Sequence, residues 1–177
     1  MLNPRSYHTM IYHDNLKSLV VVGGENNATC EIYDFYLNMW NTIPELNIPR
    51  ANPAVYIDKV GTFAYVISGI IGNIVSNSYC DVIEFLDLVD MNQGWLKIDF
   101  KNKANVDLKN NETKLFPLTD HKLLIYGANE SRNINKCFVV LDLKTLELIK
   151  IDSEDLEKMK VKAKLFPDEN IIGLNQS

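Results

Sequence analysis

Short apolar runs separated by polar turns follow one order along this chain, and the order recurs. Thr9–Tyr12 gives way to the turn His13-Asp14-Asn15, then to Leu19–Val22 ending in Gly23-Gly24, then to Cys30–Asp34, and after another turn to Met39–Ile43. Runs this short, bounded by Gly, Asn and Asp, predict antiparallel β-strands. Pro49-Arg50 restarts the pattern as Pro4-Arg5 opened it. Ala54–Ile57, a turn at Asp58–Gly61, Phe63–Ile67 ending in Ser68-Gly69, Cys80–Phe85 and Trp95–Ile98 then follow. The interval from Arg5 to Gly24 equals that from Arg50 to Gly69, which unrelated strands would not give. A third unit opens at Lys114-Leu115-Phe116-Pro117, turns at Thr119–Lys122, and continues through Leu123–Gly127, Cys137–Asp142 and Glu147–Ile151. Lys164-Leu165-Phe166-Pro167 repeats the third opening and leads into one more hairpin. The predicted units are 5–44, 50–99, 112–151 and a partial 161–174. The polar stretch 101–111 is expected to be an irregular connection, and Asp152–Lys164 a solvated crossover.

A single four-stranded sheet cannot bury both faces, so each unit needs neighbours stacked on it. A glycine after the second strand lets the backbone leave sharply. Aromatic residues on the third and fourth strands, Tyr33 and Trp40 in the first unit and Trp95 in the second, supply large apolar area between sheets. Asp34, Asp87 and Asp142 end or follow the third strands, where Asp can hydrogen-bond its own turn.

These residues resemble the kelch family. The resemblance rests on Arg5 with His8, Gly23-Gly24, Tyr33-Asp34 and Trp40 in the first unit, and on Pro49-Arg50, Gly69 and Trp95 in the second. The third unit departs from the pattern, with Gly127-Ala128 and no Trp. A repeat period of roughly 50 also suits that family. The resemblance implies an all-β fold: a partial β-propeller of four-stranded antiparallel kelch blades, about three blades plus the first hairpin of a fourth. It also implies a non-catalytic role in protein–protein interaction. Propellers usually have four to eight blades, so the expected arc is either part of a larger kelch protein, of ligase-adaptor or cytoskeletal type, or is completed by a second chain.

Composition narrows the partners. A net charge of −5 gives no electrostatic footprint for nucleic acid. The longest apolar runs fall far short of the roughly 20 residues of a membrane-spanning helix. Three cysteines without a CxxC point to an intracellular, cytoplasmic chain with reduced thiols. Cys30, Cys80 and Cys137 each open a third strand in this reading, which would hold them about a sheet separation of 10 Å apart, too far for shared metal ligation.

No catalytic motif, phosphate loop or cofactor fingerprint occurs. His13 and His121 each adjoin an Asp, yet no nucleophile is placed to use them. A copper oxidase or sugar isomerase on a kelch scaffold is the competing class, but the few histidines and the in-register cysteines do not converge. No catalytic residue, metal or cofactor is therefore expected. Contacts with a protein partner are expected from the loops Glu25–Thr29, Ile70–Tyr79 and Ala128–Lys136, through Glu25, Asn26, Asn27, Asn73, Asn77, Glu130 and Arg132. Arg5 and Arg50 stand at equivalent positions and have two readings: anchors for an acidic partner, or structural pairs with carboxylates.

Overall fold

The structure is a computed structural model, and it describes residues 1–58, 60–73, 75, 78–108, 113–130, 136–151 and 154. The chain is all-β, built from antiparallel sheets, with one short 3-10 helix at Met91–Gln93 among the described residues. The first sheet is β1 (Thr9–His13), β2 (Ser18–Val22), β3 (Cys30–Asp34) and β4 (Met39–Ile43), paired in chain order. The second, β5 (Ala54–Ile57), β6 (Phe63–Ile67), β7 (Ile83–Asp87) and β8 (Leu96–Ile98), repeats that order.

The third sheet is larger. Before its own four strands come β9 (Lys101–Asn102) and β10 (Val106–Asp107), followed by β11 (Lys114–Thr119), β12 (Lys122–Glu130), β13 (Lys136–Asp142) and β14 (Glu147–Ile151). β11 pairs with the first part of β12 and β10 with its end, opposite Asn129 and Glu130, which is why β12 runs so long. β9 lies parallel to β14 at the other edge. The stretch 101–111, expected to be irregular, thus contributes two strands. Val106 and Leu108 are the reason: spaced two apart, they point the same way and are buried between the second and third sheets.

Register aligns the second and third strands of the three sheets. Ser18 opposes Asp34, Phe63 opposes Asp87, and Lys122 opposes Asp142. Each Asp accepts two backbone N–H bonds from its own turn: Tyr36 and Leu37 at 2.7 and 2.9 Å, Val89 and Asp90 at 2.8 and 3.0 Å, Lys144 and Thr145 at 2.9 and 3.3 Å. In this register Glu31 matches Glu84, and Cys30 matches Ile83. Cys80 therefore does not open the third strand of its sheet, as the sequence had suggested. It lies before β7, where its N–H donates to the Gly69 carbonyl at 2.8 Å. The longer loop of the second unit contains the displacement.

The sheets stack face to face. Val20, Val22, Cys30 and Ile43 of the first pack against Ala64, Val66, Leu86 and Trp95 of the second. Tyr56, Ile67 and Ile83 of the second pack against Leu123, Ile125, Val139, Leu141 and Leu148 of the third. Alternation along each strand divides the apolar residues between two faces, and the middle sheet uses both. Polar bonds tie the first two sheets as well: Trp95 Nε1 donates to the Pro44 carbonyl at 2.8 Å, and Thr9 Oγ1 to that of Pro53 at 2.6 Å. The predicted hairpin at 161–174 lies outside the described residues, as does the crossover 152–164 apart from Glu154.

Candidate functional site

Two glycines fix how β2 and β6 end. Gly24 has φ 140°, and a Cβ there would lie 2.9 Å from the Ser6 carbonyl oxygen. Gly69 has φ 108°, and a Cβ there would lie 2.9 Å from that of Ala51. The same close approach of the incoming segment to the outgoing one is thus built twice. The preceding position also takes a positive φ in all three sheets, as Gly23, Ser68 and Gly127. Gly23 has a further constraint, since the Arg50 carbonyl of the next unit would sit 2.6 Å from its Cβ.

Arg5 and Arg50 lie beneath these exits. The Arg5 guanidinium donates to the carbonyls of Gly23 (3.1 Å) and Thr29 (2.6 Å), to Thr29 Oγ1 (2.7 Å) and to the Glu31 carboxylate. Arg50 donates to the carbonyls of Ile48 (3.2 Å), Ser68 (3.3 Å) and Val82 (2.8 Å) and to the Glu84 carboxylate. All four side chains of these two ion pairs are fully buried. The carboxylates also hold the segment leading into the sheet: Glu31 accepts the N–H groups of Leu2 (2.7 Å) and Asn3 (3.1 Å), and Glu84 accepts both N–H and Nδ2 of Asn47. Burial pushes the Glu31 carboxyl up, but the two backbone N–H groups and Arg5 outweigh it and hold it below its ordinary range. Each arginine clamps strand two, strand three and the incoming chain of its own sheet. This geometry answers to the structural alternative; neither guanidinium is presented to a partner at the rim. The third sheet has Val139 where the others carry Glu31 and Glu84, and that residue packs in the apolar core.

The loop residues distribute unevenly. Glu25 and Asn27 are half-buried and Asn26 is exposed, with φ 52°. Asn27 Oδ1 accepts from Thr29 N and Oγ1 at 2.8 and 2.7 Å, so its side chain shapes the loop. Asn73 is exposed, and its Oδ1 accepts the Val75 N–H at 2.7 Å. Glu130 closes β12 opposite Val106. Asn77 and Arg132 lie outside the described residues. Among the signature positions, Tyr33 and Trp40 are half-buried with ring centroids 5.0 Å apart, Trp95 is buried, and His8 is half-buried just ahead of β1.

The cysteines Cys30, Cys80 and Cys137 are buried thiols outside any disulfide. Burial pushes the Cys30 thiol up to about 11 and also raises that of Cys80. Among the described residues, no group of three or more His, Cys, Asp or Glu is placed to hold a metal ion.

Three features escaped sequence reading. The first is the carboxylate partners Glu31 and Glu84, whose signal was their equal distance ahead of Asp34 and Asp87. The second is His13, which is buried: Leu16 N–H donates to its Nδ1 at 3.3 Å, leaving Nε2–H for the Gly61 carbonyl at 2.9 Å in the matching turn of the second sheet. The third is a groove of about 350 Å³ between the second and third sheets, lined by Phe63, Tyr65, Phe85, Lys97, Ile98 and Leu143.

Fold and geometry together define an all-β protein of repeated, stacked antiparallel sheets, each of the first two locked by a buried Arg–Glu pair. No family model matches the chain, and no curated protein matches it either.

Proposed function

We propose that the chain is an arc of kelch-type β-propeller blades and serves as a non-catalytic scaffold that binds a protein partner through the loops after strand two. One observation carries this reading. The Arg–Glu clamp occurs at the same place in two consecutive sheets, and those sheets stack with their first strands adjacent, which supports the reading of a repeated sequence as radially repeated blades. The clamp makes the loop exits rigid, and Glu25, Asn26 and Asn73 project beside them. Rigid elements presenting variable polar loops are the usual construction of a binding surface.

The test is affinity capture with the whole chain against a Glu25→Lys, Asn26→Gly variant. Gly accepts the positive φ of Asn26, so the fold is retained. Selective loss of a captured protein, with circular dichroism and thermal midpoint unchanged, is the expected result. Stoichiometric copper on the purified protein, or an unchanged set of captured proteins, would overturn the proposal.

A further inference from the structure

The space between the second and third sheets lacks a side chain that fills the space between the first and second. In the ladders of β4, β8 and β14, Ile43 pairs with Cys30, Ile98 with Ile83 and Ile151 with Phe138. These isoleucines are equivalent, and Trp40, Trp95 and Leu148 stand equally far ahead of them. Trp95 is 4% exposed and packs with Ile43, and its Nε1–H donates to the carbonyl of Pro44, the residue that follows Ile43. Leu148 takes the place of Trp95 in the third sheet and packs toward the second. The turns differ in the same sense. Between Asp87 and Trp95 the second sheet carries the 3-10 helix, whose Met91 packs in the same cluster as Trp95, whereas Asp142 pairs directly with Glu147. With a Leu for a Trp and a shorter turn, a groove of about 350 Å³ remains, and its lining includes Ile98, Asp99, Leu143 and Leu146. Ile98 and Asp99 are the equivalents of Ile43 and Pro44, the neighbours of the Trp95 indole. Phe63, Tyr65 and Phe85 add aromatic surface to the groove, with the Phe85 centroid 6.0 Å from that of Phe63 and 6.3 Å from that of Tyr65.

From this internal comparison we infer that the groove is a binding site for a small indole compound, whose ring lies where Trp95 lies one interface earlier and whose N–H donates to the Asp99 carbonyl. Three observations select that ligand. First, the groove is lined by three aromatic rings, against which a planar ring packs edge-on or offset. Second, the acceptor is in place: Asp99 follows Ile98 as Pro44 follows Ile43, and no described residue donates to its carbonyl. A ring with one N–H satisfies that carbonyl, as Trp95 satisfies Pro44. Third, the volume lies at the lower end of the roughly 300–1,000 Å³ of small-molecule sites, enough for a fused ring with a short substituent. Lys97 and Asp99, both exposed, set charges of either sign beside that substituent. The site requires the equivalence of the fourth strands and not the kelch resemblance, so its failure leaves the loop-binding proposal standing.

Titration of the whole chain with indole, followed by proton–nitrogen NMR, tests this. Saturable shifts are expected at the amides of Phe63, Ile98, Asp99 and Leu146, with a dissociation constant of about 1 mM for so small a ligand. N-methylindole keeps the ring and loses the donor, and is expected to bind about three- to tenfold more weakly. Leu148→Trp supplies the missing indole from within the chain and is expected to abolish the shifts. Phe63→Ala, at a half-buried position, removes one aromatic ring from the lining and is expected to weaken binding in a chain of unchanged circular dichroism. Absence of saturable shifts up to about 10 mM, ten times that constant, would overturn the inference. So would shifts centred away from the groove, equal binding of N-methylindole, a folded Leu148→Trp chain that still binds indole, or indifference to Phe63→Ala.

Discussion

Arg50 and Glu84 show most plainly what a buried charged pair does here. Each is fully buried, and the guanidinium also satisfies three backbone carbonyls. Removing one partner strands the other charge, so Arg50→Met is expected to cost about 3–5 kcal/mol in urea denaturation. Glu84→Val combined with Arg50→Met costs less than Arg50→Met alone, because no charge is left buried; the third sheet already uses Val139 at that place. A double variant less stable than the single would contradict this account. Glu31 adds a pH dependence. Its carboxyl is held below its ordinary 4.5 in the folded chain, so its contribution to stability is complete above about pH 4.5 and is lost as pH falls through the lower folded value. Urea midpoints followed from neutral to acid pH should drop less steeply in Glu31→Gln, which starts lower at neutral pH. The thiols give a third measurement. With Cys30 at about 11 and Cys80 also raised, both stay protonated at neutral pH. A thiol reagent is expected to label neither until the chain is unfolded.

At the level of strands and turns, the repeat is carried by a few backbone requirements. Gly69→Ala is expected to destabilise by more than about 1 kcal/mol, since the added methyl meets the Ala51 carbonyl oxygen at a φ that L-residues rarely adopt. Gly24→Ala should behave alike because the obstacle is equivalent. Hydrogen exchange would localise the loosening to the paired segment around Ala51 and Ile70, and protection unchanged there would show that the approach is not limiting. The strand pattern was legible because periodicity of two and turn residues are local properties. The misreadings came from non-local packing. Cys80 matched Cys30 by type, but the Asp turns and the Arg–Glu pairs set the register. Residues 101–111 read as linker by composition, yet Val106 and Leu108 found a core to enter.

For the molecule as a whole, the two tryptophans are an internal comparison. Trp95 fills the space between the first and second sheets and donates to the Pro44 carbonyl; Trp40, its counterpart, stands on the face of the first sheet turned away from the second. Trp95→Ala is expected to cost about 3–5 kcal/mol, the range for a buried Trp. Trp40→Ala should cost far less, because its side chain is only half-buried. Thermal or urea unfolding of both variants measures this. Equal losses would mean that Trp40 is as tightly packed as Trp95.

The sequence by itself determined the element type, the strand order within each unit and the places where the backbone must turn, because each depends on residues close along the chain. It also marked Arg5 and Arg50 as equivalent, without deciding between their two roles. Only the tertiary structure made that decision, by bringing Glu31 and Glu84 under the guanidinium groups, out of water, where an unpaired charge could not remain. Tertiary structure likewise separated two chemically similar faces. Leu86 and Trp95 are buried under the first sheet, whereas Tyr33 and Trp40 are only half-buried and no sheet of the described residues stands on them, since burial is a property of which sheet stands opposite and not of the residues that wait for it.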